Sequence, residues 1–233
     1  GVRLVGSEMC IRDRNKLDLS HLEEVMPIVD ALDSGGITLE EFMEDGPVIR
    51  LSRSLGLSDP EHLQEVLNQF ASGMPLSEIL DSHNERLERL GSERELQSKI
   101  VKEKTVIIDG LAVCDLSETG VRSNGYLITA LAGPGAHACC VIHGFMDGSI
   151  ETPNRPALGA SFYATSFRTD KNPYDLSLLA TLLDETGGGH ANACGCRIQP
   201  SDASQRALIE GDKEHNLEQW LNLWKLREIK MLR

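Results

Sequence analysis

A chain of 233 residues, 40% hydrophobic and 25% charged, has enough apolar material for one large domain or two small ones. Its formal charge of −13 argues against broad binding to a nucleic-acid duplex, where lysines and arginines neutralise phosphates, but leaves room for one small anion or a divalent metal. No apolar run approaches the ~20 residues that span a bilayer and no secretory leader is visible, so no membrane partner and a cytoplasmic location are expected.

The first fourteen residues, GVRLVGSEMCIRDR, have no periodicity that continues into the next helix. The string resembles translated sequencing-adapter read-through, and the alternative is a frayed N-terminal segment. Residues 15–33 then read as a helix, with Leu17, Leu22, Val25, Met26, Val29 and Leu32 at roughly helical spacing and Pro27 as a disturbance. Thr38 to Glu41 and Ser58 to Glu61 both have the form in which a hydroxyl and a glutamate satisfy free amides at a helix start. From Pro75 to about Lys104 the pattern predicts one long charged helix on a thin stripe of Leu76, Ile79, Leu80, Leu87, Leu90, Leu96 and Ile100. We place a domain boundary inside it.

Beyond that helix the signals alternate between strand and helix. The spacing predicts a strand over 105–114, a helix from about Ser123 to Leu131, strands over 137–146 and 157–168, a helix over 175–185, a glycine loop, a strand over 193–198 and a last helix near 203–230. The fold class is α/β with a mixed sheet. Trp220 and Trp224 read as the core stripe of the last helix, with a homodimer contact as the alternative. The six cysteines, Cys10, Cys114, Cys139, Cys140, Cys194 and Cys196, lack the paired spacing of a disulfide framework and read as reduced thiols.

The candidate site is TGGGHANACGC, residues 186–196. Gly187, Gly188 and Gly189 can turn through positive φ and expose several amides as an anion trap, with His190 beside them as hydrogen-bond donor or acid. Arg168, at the end of the preceding strand, offers the planar fork that phosphate recognition favours. Spacing alone supports a phosphate nest and a glycine helix cap equally.

The order Ser166-Phe-Arg-Thr, Asp175 at a helix start, Gly187-Gly-Gly-His190 and Ala193-Cys-Gly195 resembles the end of the DHH-associated domain of the DHH phosphoesterase superfamily, whose exopolyphosphatase- and oligoribonuclease-like members carry a Gly-Gly-Gly-His-x-x-Ala-Ala-Gly signature. Cys194 stands at the second alanine. The resemblance covers roughly residues 105–200 and implies a C-terminal part of such an enzyme: the tail of its catalytic domain over 15–75, a linker helix over 76–104, and a substrate-binding domain over 105–233. It further implies manganese-dependent hydrolysis of a phosphate ester or anhydride in the parent enzyme, acting on an oligonucleotide, a nucleotide or polyphosphate. Paired metals would supply hydroxide while Arg168, Gly187, Gly188, Gly189 and His190 bind substrate.

The family's Asp-x-Asp and Asp-His-His motifs are missing from the sequence. Val29-Asp30-Ala-Leu-Asp33-Ser34 resembles its last metal motif, with Asp33 the better match and Asp30 second, although such a run also suits a helix-to-helix turn. The chain then reads as a truncated phosphoesterase in which one remaining carboxylate cannot hold a dinuclear manganese site. The rival is a non-catalytic module that binds an RNA end or an anion. Either way the expected partner is a small phosphorylated substrate or a single-stranded oligonucleotide end.

Overall fold

The computed structural model describes residues 20–23, 25–34, 36–145, 158–167, 174–202 and 210–227. The N-terminal string and Arg168 lie outside the described residues. The chain divides into two compact units, Gly1–Glu95 and Leu96–Arg233.

In the first unit a 3-10 turn at Ser20–Leu22 is followed by α1 (Met26–Ser34), α2 (Leu39–Glu44), α3 (Pro47–Ser54), α4 (Pro60–Ala71) and α5 (Leu76–Ser82), and α6 (Asn84–Glu103) begins. The helix expected over 15–33 is thus described only from Met26 as α-helix. Thr38 forms the expected capping box, its side chain accepting from the Glu41 amide while the Glu41 carboxylate accepts from the Thr38 amide at 2.9 Å. At α4 the cap is Asp59 instead of Ser58. Asp59 accepts from the His62 amide at 3.1 Å and pairs with Arg86 at 2.8 Å, and Pro60 takes the first-turn position where no amide is needed.

The single helix expected from Pro75 to Lys104 is two helices broken at His83. The Ser82 hydroxyl donates back to the Ile79 carbonyl at 2.8 Å, and His83 leaves helical geometry with φ −112° and ψ 10°. What holds the break is burial: the His83 ring packs edge-on against His62, with centroids 4.9 Å apart, and its Nε2 lies 2.9 Å from Gln69 Oε1. The break lets Leu76, Ile79 and Leu87 meet Val25, Leu51 and Val66 in one core, whereas Leu96 of the predicted stripe is exposed. A buried polar knot sits beside it, where Asp45 pairs with Arg50 at 3.2 Å, Arg53 at 3.3 Å and Arg94 at 3.6 Å.

The second unit is built on a six-stranded sheet, in the order β1-β2-β3-β4-β6-β5. Its strands are β1 (Thr105–Ile108), β2 (Leu111–Leu116), β3 (Ala138–His143), β4 (Gly159–Ala164), β5 (Gly188–His190) and β6 (Ala193–Arg197). The β2–β3 pair is parallel, joined through α7 (Gly125–Ala132), and the other pairs are antiparallel, so the sheet is mixed as the alternation implied. The one strand expected over 105–114 is a hairpin. Asp109 at φ 50° and Gly110 at φ 79° make its two-residue turn, the left-handed pair that matches strand twist.

One sheet face carries Leu111, Val113, Cys140, Ile142, Phe162 and Ile198 against Leu176 and Leu179, near α8 (Ser177–Ala180), and against Trp220 and Trp224 of α9 (Glu210–Lys225). Both tryptophans are buried, and Trp224 Nε1 also donates to the Asp109 carbonyl at 3.0 Å. The helix expected over 175–185 is only a single turn before the chain bends toward the glycines. Burial of Cys140 and Cys139 pushes both thiols far above the usual range, so they act as core hydrophobes.

Candidate functional site

The three glycines do not form an open loop. Gly188 and Gly189 belong to β5, the outer strand, and pair with β6 in the register Gly188↔Gly195, Gly189↔Cys194 and His190↔Ala193. Each glycine has its own physical reason. A Cβ on Gly187 would stand 2.3 Å from the Ala180 carbonyl oxygen, and its amide already donates to the Asp184 carbonyl at 3.0 Å. Gly189 at φ 138° would place a Cβ 2.7 Å from the Ala193 carbonyl oxygen. Gly188 at φ 154° has nothing within 4 Å of that position, so only its conformation demands glycine. The result is a bare strand edge with space beside it.

The hairpin is clamped from three sides. The Ala164 amide, at the end of β4, donates to the Asn192 carbonyl at 2.9 Å, and the Leu176 amide donates to the Ala191 carbonyl at 2.9 Å. Asp175 fixes the entry to α8 by accepting from the Ser177 amide at 2.9 Å and the Ser177 hydroxyl at 2.6 Å. The third clamp is Asp184, a residue the sequence reading passed over. It is 5% exposed, and its carboxylate accepts from the Thr186 amide at 2.9 Å, the Thr186 hydroxyl at 2.7 Å and the Arg197 amide at 2.8 Å. Burial alone would raise its pKa, but these donors outweigh burial and hold it below the usual carboxylate range. The signal available in the sequence was Asp184-Glu-Thr186, where a short carboxylate can accept from a hydroxyl and an amide two residues on.

His190 is exposed at the tip of this hairpin. The strand expected over 157–168 ends at Ala164, and beyond it the Phe167 ring stands edge-on to Tyr126 at 6.0 Å. Tyr163 packs over Gly125, where a Cβ would meet its ring at 2.3 Å. Tyr163 and Phe167 are therefore both in contact with α7. Burial, then Asp175, pushes the Cys194 thiol up to about 11, and burial, then Asp184, pushes Cys196 up to about 12, so both rest as protonated thiols.

A second polar feature sits at the other end of the sheet. A cleft of about 680 Å³ is lined by Gln97, Arg122, Asn124, His143 and Ser161 among others. The ladder aligns His143 with Gly159 and Arg197, whereas Cys139 aligns with Tyr163 and Ala193 and so with His190. Four residues of strand, roughly 13 Å, separate those rows. His143 Nε2 lies 3.3 Å from Ser161 Oγ, and burial, then Arg122, holds its pKa down.

Asp30 and Asp33 both lie on α1 and both are exposed. Among the described residues, the group of three close metal-ligating side chains is His62, Glu65 and His83, not one that contains either aspartate. Two solvated carboxylates three residues apart on a helix do not by themselves fit a dinuclear manganese centre, which needs several donors converging on each ion.

No family model matches the chain, and no curated protein does. Among solved structures, a pGpG-specific phosphodiesterase from Vibrio cholerae aligns at 18% identity and a TM-score of 0.66, over 87% of this chain and 66% of that one. An exopolyphosphatase-related protein from Bacteroides fragilis aligns at 17% identity and a TM-score of 0.39, over 64% of this chain and 42% of that one. The chain therefore shares the fold of a phosphodiesterase and spans just under two thirds of its length.

Proposed function

We propose that the unit Leu96–Arg233 grips the phosphate of a small phosphorylated substrate or of a single-stranded oligonucleotide end, within a manganese-dependent phosphoesterase of the DHH type. One observation carries this reading: His190 stands exposed at the tip of a hairpin whose glycine edge is bare and whose position is fixed by Asp184. A preorganised donor costs little ordering when the anion arrives. The phosphate would lie along the open edge at Gly188 and Gly189, take a hydrogen bond from the His190 ring and meet the guanidinium of Arg168. Gly187 serves by letting the chain pass tightly over Ala180.

In the parent reaction bound metals would supply hydroxide, and His190 would protonate a leaving oxygen. On the metal side this chain offers Asp33, with Asp30 second, and both depend on donors other than each other. A second reading, which rests on Asp30 and Asp33 being solvated on α1, has the chain bind an RNA end or an anion without catalysis.

Calorimetry with pGpG and with inorganic phosphate tests the grip. His190→Ala is expected to weaken pGpG binding at least tenfold with the circular dichroism unchanged, and unchanged affinity would overturn the assignment. Turnover of pGpG with manganese supplied separates the readings: measurable hydrolysis supports the phosphoesterase, and tight binding with none supports the module.

A further inference from the structure

The strongest cluster of unassigned donors lies in the other unit, at the break between α5 and α6. His62 and Glu65, three residues apart on α4, share one helix face, and His83 is brought to them by the break. One ligand atom from each of the three lies within 4.8 Å of the others.

The hydrogen bonds fix which nitrogen each ring has left over. Ser54 Oγ donates its one proton to the Leu51 carbonyl at 2.6 Å, so at its 2.8 Å contact with His62 Nε2 it must accept. His62 therefore carries its proton on Nε2 and keeps a lone pair on Nδ1. Gln69 Oε1 can only accept, so the 2.9 Å contact puts the proton of His83 on Nε2 as well. Metal-binding histidines hold the non-ligating N–H in this way, on a hydroxyl or carbonyl oxygen that sets tautomer and ring orientation.

We propose that His62 Nδ1, His83 Nδ1 and the Glu65 carboxylate form a site for a divalent transition metal of the zinc class. Two imidazoles and one carboxylate suit zinc in preference to magnesium or calcium, which favour all-oxygen shells. Tetrahedral zinc needs its donors roughly 3.3 Å apart, so the three atoms, all within 4.8 Å of one another, must draw together on binding, with the exposed Glu65 side chain the freest of them to move. Water completes the shell on the solvent side. The ion would tie α4 to the α5–α6 junction, and this role is independent of the phosphate grip.

The test uses zinc alone with the full chain, read by calorimetry and thermal denaturation, with cobalt substitution to report tetrahedral coordination by its visible absorption. Wild-type chain is expected to bind zinc at micromolar or lower concentration and to gain thermal stability. Glu65→Ala, a change at an exposed helix position, is expected to weaken zinc binding at least tenfold and to remove the tetrahedral cobalt bands. Glu78→Ala, which removes an exposed carboxylate on α5, should leave both readouts unchanged. If zinc does not stabilise the wild type, or if Glu65→Ala binds zinc and cobalt as wild type does, the proposal is wrong. His83→Ala should behave like Glu65→Ala, and if it fails to fold the glutamate variant decides.

Discussion

Asp184 and Asp33 are both short carboxylates close behind an apolar helical stretch, and each is followed within two residues by a hydroxyl or a glycine. Their surroundings differ completely. Asp184 is buried and takes three hydrogen bonds that hold the glycine hairpin in place, whereas Asp33 and its neighbour Asp30 face solvent on α1. The contrast teaches that a carboxylate acquires a structural role from the donors that converge on it. Residue type and local spacing are shared by both; convergence is not.

The largest effect should come from breaking the anchored side of that contrast. Asp184→Ala removes the acceptor for the Thr186 amide and hydroxyl and the Arg197 amide, and is expected to destabilise the second unit by about 2–4 kcal/mol in urea denaturation. It should also loosen phosphate binding at His190 without touching that residue. Because the folded state lowers the pKa of Asp184, its stabilisation is complete above the ordinary carboxylate value near 4 and fades as pH falls through the lower folded value. The wild type should therefore lose stability below about pH 4 more steeply than Asp184→Asn, and equal acid profiles for the two would remove Asp184 from this role.

Next in size is Gly187→Ala, whose added methyl carbon meets the Ala180 carbonyl oxygen at 2.3 Å. A cost of about 1–3 kcal/mol is expected from forced displacement of α8 against β5, measurable as a lowered midpoint of unfolding. Gly188→Ala, with space around it but φ 154°, should cost less, about 1 kcal/mol. A reversed order would mean that the turn, not the packing, dictates glycine here.

The smallest effect belongs to the solvated side. Asp33→Asn is expected to shift stability by no more than about 0.5 kcal/mol, as for other exposed substitutions. Loss of several kcal/mol would show that Asp33 has converging partners after all and would sharpen the metal reading.

Elements with short-range causes were legible in the sequence. Thr38 with Glu41 signals its own capping box, the β-branched run from Thr105 signals a strand, and Trp220 with Trp224 mark the buried stripe of the last helix. The mixed sheet followed from alternating strand and helix periods, and the glycine-histidine stretch stood out because nothing regular explains such composition. Asp109-Gly110 was also a local signal, the hairpin dipeptide, but the apolar run on both sides of it read as one strand.

What the sequence determined by itself was therefore local: caps, periods, turn dipeptides and the residue types available for binding an anion. Tertiary structure alone decided the rest. The helix over 76–104 breaks because His83 has a buried place beside His62 and Gln69, twenty-one and fourteen residues away, and no helical propensity encodes that. The glycines become an edge strand because β6 lies ready to pair with them, and Asp184 matters because the amide of Arg197, thirteen residues on, comes back to it. Burial and hydrogen bonding between distant segments exist only once the chain has closed on itself, and they decided which polar residues hold the fold and which are free to meet a ligand.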